Sequence, residues 1–142
     1  MPKEPSATEN GFSFIEVILA IAVIALLVTV FAGAIIYGQE SIRVAENRFK
    51  ARMLAGEGID AVRNIRDNNY SSLTDGTFGL VVSSNQWSLS GSSDVSGIFT
   101  RRVTISTIDA NTKQITANVS WQDTQTRTNQ ISIVTRLTNW RN

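Results

Sequence analysis

Glu16 is the single charged side chain in residues 11–39, GFSFIEVILAIAVIALLVTVFAGAIIYGQ. A carboxylate inside an apolar helix costs about 2.5 to 3.5 kcal/mol on insertion scales. It is tolerated when a cation and hydrogen bonds compensate it. The chemistry open to this residue is therefore electrostatic, and its cation is the thing to find. Other reactive groups are sparse. The 142 residues include no cysteine and no histidine, which removes the commonest general base, the thiol nucleophile and the usual zinc ligands. No enzymatic activity, metal or cofactor is expected. Asp67, Asn68, Asn69 and Asp75 offer oxygen atoms for calcium, but without the spacing of an EF-hand, and a solvated turn is the preferred reading. Asn69-Tyr-Ser and Asn118-Val-Ser fit the short acceptor pattern for N-glycosylation. Arg101 and Arg102 are adjacent on a strand-like run, so they point to opposite faces and form no single patch. With a net charge of +1, no nucleic-acid partner is expected.

The element that carries Glu16 is a membrane helix by composition. Residues 17–37 are 21 in number and all uncharged, and at 1.5 Å per residue they make a helix of roughly 32 Å, the thickness of a bilayer core. The run is too long for a cleaved secretory signal, and it ends in Tyr37, Gly38, Gln39 and Glu40 without a small-residue cleavage site. A signal anchor fits it better. Ahead of it, MPKEPSATEN is short and polar and can neither span nor pack.

The hexapeptide G-F-S-F-I-E at residues 11–16 resembles the processing site of the type IV pilin and pseudopilin superfamily. That resemblance implies cleavage by a prepilin peptidase between Gly11 and Phe12, removal of residues 1–11 as a leader, and methylation of the new amino terminus at Phe12. Glycine before the bond suits close approach of a protease, since it has no side chain to obstruct access. The family resemblance also supplies Glu16 with its cation. In a helix starting at Phe12, Glu16 lies one turn on and faces the side of the new α-amine, and the amine of an incoming subunit would meet it and set the axial register. A glutamate that snorkels to the headgroups is the other reading. Members of the family often carry basic residues just before the glycine; Glu9 and Asn10 stand there instead, so orientation rests on Lys3 and the free amino terminus.

Beyond the membrane segment the helical pattern continues to about Asp67. Ile42, Ala45, Phe49, Met53, Gly56, Ile59, Val62 and Ile65 recur every three or four residues, and this stripe is expected to form core against a sheet. Asn68 and Asn69 tolerate a left-handed conformation where the helix should stop. Gly33 is read either as a weak point for local melting, as the family resemblance suggests, or as a site of close helix packing beside Ala32 and Ala34. Residues 99–107 (FTRRVTIST), 115–122 (ITANVSWQ) and 131–140 (ISIVTRLTNW) alternate as half-buried strands, with Arg101 the exception on the inward face of the first. Short polar connectors make them an antiparallel meander. Residues 78–82 and 86–90 form a hairpin, and GSSDVSG at 91–97 is expected to be a loop.

The resulting expectation is an α+β, pilin-like chain whose long helix packs on a small antiparallel sheet. It comprises a leader (1–11), a transmembrane and assembly helix (12–38) and a globular head (39–142), the head having an amphipathic helix at 39–67 and a β-rich part at 77–140. EGIDAVRNIRDNNY at 57–70, FTRRVTI and NVSW are similar to minor pilins and pseudopilins related to the fimbrial V protein and the secretion-system I pseudopilin. This implies a non-enzymatic, minor subunit of a type IV pilus or related filament. Its partners would be other pilin subunits, the prepilin peptidase and an assembly platform. It would sit single-pass in the cytoplasmic membrane with its head outside, reaching the periplasm or cell surface once assembled. The alternatives are a type II secretion pseudopilin and an anchored extracellular binding domain that does not polymerise.

Overall fold

The computed structural model describes residues 11–124 and 127–140. Of the expected leader, residues 1–10 lie outside the described residues. Two compact units divide the chain, Met1–Ile42 and Arg43–Asn142. The architecture is α+β, as the sequence predicts. One helix, α1 (Phe14–Asn68), is followed by a 3₁₀ turn at Tyr70–Ser72 and six strands: β1 (Gly76–Ser83), β2 (Gln86–Ser90), β3 (Asp94–Ser96), β4 (Phe99–Asp109), β5 (Thr112–Thr124) and β6 (Arg127–Thr138).

In the first unit the apolar side chains of the helix are exposed. Ile15, Leu26, Phe31 and Ile36 are all more than half exposed, and the segment is long and apolar enough to cross a membrane. The helix is unbroken through Gly33 and Gly38.

In the second unit an antiparallel sheet runs in the order β2-β1-β4-β5-β6. The β1–β2 hairpin turns through Ser84 and Asn85, both left-handed (φ 50° and 62°), as a tight two-residue turn between twisted strands requires. The central ladders follow the alternation: Val103 faces Ala117, which faces Ile133, and Ile105 faces Ile115. Phe99 pairs with Trp121, their rings 5.8 Å apart and tilted by 53°, a geometry favoured by aromatic quadrupoles. The last three strands are longer than expected because the polar ends of the connectors also pair.

The C-terminal part of α1 covers this sheet with a face that keeps Ile59, Val62 and Ile65 of the expected stripe and leaves out Phe49 and Met53. Ala51, Ala55, Gly58, Ile59, Ala61, Val62 and Ile65 are buried, whereas Phe49 and Met53 are 66% and 60% exposed. Two residues are about 200° of rotation on an α-helix, so Phe49 and Met53 lie opposite Ala51. Small residues win the inner face because they let the helix axis approach the branched side chains of β4 and β5. The helix ends at Asn68, and Asn69 is extended rather than left-handed (φ −158°); its side chain accepts a bond from the Ser71 N–H at 2.9 Å.

The segment expected as a loop at 91–97 contains β3. Asp94–Ser96 pairs with the Phe99–Arg101 end of β4, while β1 pairs with the Val103–Ile105 end of the same edge. Gly91 and Gly97, both left-handed (φ 60° and 61°), turn the chain on either side. Close approach to β1 then requires Gly79, where a Cβ would stand 2.4 Å from the Ser93 carbonyl carbon. Gly79→Ala should displace this segment and cost about 1 to 3 kcal/mol, read as a lowered denaturation midpoint; an unchanged midpoint would show that the segment is not held there.

At the start of β1, Asp75 ties two strands together. The Thr107 hydroxyl donates to its Oδ1 at 2.7 Å, the Thr107 amide to Oδ2 at 3.1 Å, and Lys113 Nζ to Oδ1 at 3.0 Å. Bonding to the Thr107 hydroxyl, then to Lys113 and the Thr107 amide, holds this carboxyl below the usual aspartate value. Because the folded form is the more acidic, the tie is complete above the unfolded value and is lost as pH falls through the folded one. The Thr107 amide resonance should titrate with a midpoint below that of a free aspartate; a midpoint at or above it would mean the tie is absent in solution.

Candidate functional site

The chain enters α1 through Gly11, Phe12 and Ser13, which adopt no regular structure. Helical bonding starts at Ser13, whose carbonyl accepts from the Glu16 and Val17 amides at 2.9 and 3.2 Å. Glu16 therefore occupies the first turn of the helix, where a carboxylate also complements the amino-terminal end of the helix dipole. Phe12 and Phe14 are 85% and 81% exposed. A Cβ on Gly11 would touch nothing within 4 Å, so packing inside the chain places no demand for glycine there. Among the described residues, no basic group pairs with Glu16. Gly11, Phe12 and Glu16 thus lie within one short exposed stretch at the head of an uncovered apolar helix. What such a stretch can do is present a peptide bond to an enzyme and a carboxylate to a cation from another molecule.

A second constellation, in the head, is one whose significance is not apparent from sequence. Arg101 is only 6% exposed. Its Nε donates to Asp94 Oδ1 and Oδ2 at 3.2 and 3.1 Å, Nη2 donates to Asp94 Oδ2 at 2.9 Å, and Nη1 donates to the Leu54 carbonyl at 3.0 Å. Glu57 Oε2 is 3.4 Å from Nη1. Asp94 also accepts the Leu80 amide at 3.0 Å, capping β1 where it departs from β4. One guanidinium thereby joins α1, β3 and β4. It passes over Gly58, where a Cβ would approach its Cδ to 3.2 Å. The available signal was its position: residue 101 shares the inward parity of Phe99, Val103 and Ile105, so an arginine there has to find partners inside. Arg102 points outward and is exposed. This arrangement holds the fold and offers no reactive group to a substrate.

The four oxygen-bearing residues considered for calcium take separate partners. Asp67 accepts from Arg66 Nε and Trp140 Nε1, Asn68 donates to Asn64, Asn69 accepts from Ser71, and Asp75 binds Thr107 and Lys113. No cluster of three metal-ligating side chains is present among the described residues. Of the two glycosylation patterns, Asn69 is exposed beyond the helix end, whereas Asn118 is half-buried in the middle of β5, paired with Arg102 on one side and Ser132 on the other.

No family model, curated protein or solved structure matches the chain.

Proposed function

We propose that this chain is a non-enzymatic subunit, of the minor kind, of a type IV pilus or a related filament. It is inserted in the cytoplasmic membrane with its head outside, cut by a prepilin peptidase between Gly11 and Phe12, and methylated at Phe12. The observation that carries the reading is the sequence G-F-S-F-I-E, exposed, irregular up to Ser13 and running into the first turn of an exposed apolar helix. A glycine that no contact among the described residues requires and a carboxylate without a cation among those residues both have a use once the chain meets a protease and then a second subunit.

Assembly follows from the same features. The apolar part of α1 is stable in lipid, and it stays out of water when extracted into a bundle of sister helices. Packing among helices, rather than the hydrophobic effect, then has to favour the bundle over the bilayer. Glu16 of each subunit pairs with the Phe12 amine of its neighbour in that dry interior, where the attraction is far stronger than in water. Phe49 and Met53, exposed on the side of α1 away from the sheet, extend the apolar contact into the head. Filaments sheared from cells and sedimented should contain the chain, detected through its head. A chain found solely as a monomer in the membrane fraction would contradict assembly and favour the anchored binding domain.

A further inference from the structure

We propose that Asn69 is an acceptor for an N-linked glycan, donated by a polyprenyl-pyrophosphate-linked oligosaccharide. The acceptor pattern occurs twice, and the structure separates the two occurrences. Asn118 and Ser120 lie in the interior strand β5, half-buried and laddered to β4 and β6, so an enzyme reaches them only by opening the sheet. Asn69 and Ser71 are exposed, in the short connection between α1 and β1. Asn69 borders hollows of about 200 and 330 Å³, one lined by Trp140 and the other by Trp87, and Ser71 lines a third of about 450 Å³.

The local conformation suits the reaction. Asn69 has an extended backbone (φ −158°, ψ 109°), and its Oδ1 accepts the Ser71 N–H at 2.9 Å. That bond engages the carbonyl side of the amide and leaves Nδ2, the nucleophile, with no partner among the described residues. Transfer forms a bond from Nδ2 to the anomeric carbon of the sugar and breaks that carbon's bond to the pyrophosphate oxygen. The amide loses a proton to a base of the transferase, and the polyprenyl pyrophosphate departs as the leaving group.

Access also requires that the connection lift slightly from the head. Tyr70 lies between acceptor and hydroxyl residue, and its hydroxyl is buried without a hydrogen-bond partner among the described residues. Lifting the segment restores that bond to water, so this stretch opens more readily than the laddered sheet. In cells the modification rests on the proposed topology, because the acceptor has to be on the outer side of the membrane with the lipid-linked donor.

The test uses the full chain, purified in detergent from cells that contain a prepilin peptidase. It is incubated with a bacterial oligosaccharyltransferase and its lipid-linked oligosaccharide, with an acceptor peptide as positive control. Peptide masses should place one oligosaccharide on Asn69. Asn69→Gln and Ser71→Ala should each abolish the addition, and Asn118→Gln should leave it unchanged. Ser71→Ala keeps the backbone N–H that Asn69 binds, so its loss of modification reports the hydroxyl and not the fold. Transfer to Asn118, or an unmodified chain beside a modified control peptide, overturns the proposal. The same spectra report the amino terminus. A glycosylated chain starting at Met1 would sink the filament reading and spare this one; an unmodified chain starting at Phe12 would do the reverse.

Discussion

Glu16→Val should enter the membrane as efficiently as the parent chain and be lost from filaments. The substitution removes the one charge from residues 11–39, which by insertion scales favours the membrane state by about 2.5 to 3.5 kcal/mol. Its cost falls on assembly. In the bundle the Phe12 amine of the neighbouring subunit would be left in a dry interior without a counter-charge, and breaking a buried pair in this way costs about 3 to 5 kcal/mol. Each 1.4 kcal/mol is tenfold, so incorporation at a single contact should fall by at least about a hundredfold. Fractionation of cells followed by immunodetection gives the ratio of membrane-bound to filament-bound chain. Parent-like incorporation would mean that the carboxylate sets no register and snorkels to the headgroups instead.

The second large effect belongs to the head. Arg101→Ala should destabilise it by about 3 to 5 kcal/mol, since it strands Asp94 beside the core and removes the donor to the Leu54 carbonyl. For a head of this size the unfolding temperature should fall by more than about 10 °C, followed through the fluorescence of the buried Trp121. Replacing both partners, Arg101→Met with Asp94→Leu, should recover much of the loss, because a buried pair exchanged for apolar side chains of similar volume is often neutral. The recovery would be incomplete, as Asp94 also accepts the Leu80 amide. A single Arg101→Ala variant as stable as the parent would show that the guanidinium is dispensable. Membrane insertion and cleavage at Gly11 should be untouched, which separates this variant from Glu16→Val.

Much of the architecture can be read from periodicity. The run from Val17 to Tyr37 and the alternation of Ile115, Ala117, Val119 and Trp121 each point to one structure, because a two-residue period and a long uncharged stretch have few competing explanations. Where two solutions satisfied the same pattern, sequence alone could not choose. Phe49 and Met53 looked like core because they are large and helically spaced, yet Ala51, Ala55 and Gly58 face the sheet; a small-residue face permits closer packing and carries little hydropathy signal. The short strand β3 was hidden for another reason. Its residues are polar, and it is held by Asp94, Arg101 and a gap left at Gly79, all of which are long-range. The amino-terminal motif is the opposite case: Gly11, Phe12 and Glu16 form one short linear pattern that stands in the sequence alone, and the structure adds that Phe12 and Glu16 are exposed.

The central claim is that proteolysis frees the cation that Glu16 requires. Mass spectrometry of the chain extracted from membranes of cells with an active prepilin peptidase tests this most directly. The account predicts an amino terminus at N-methylated Phe12. A terminus at Met1 or Pro2 would contradict it.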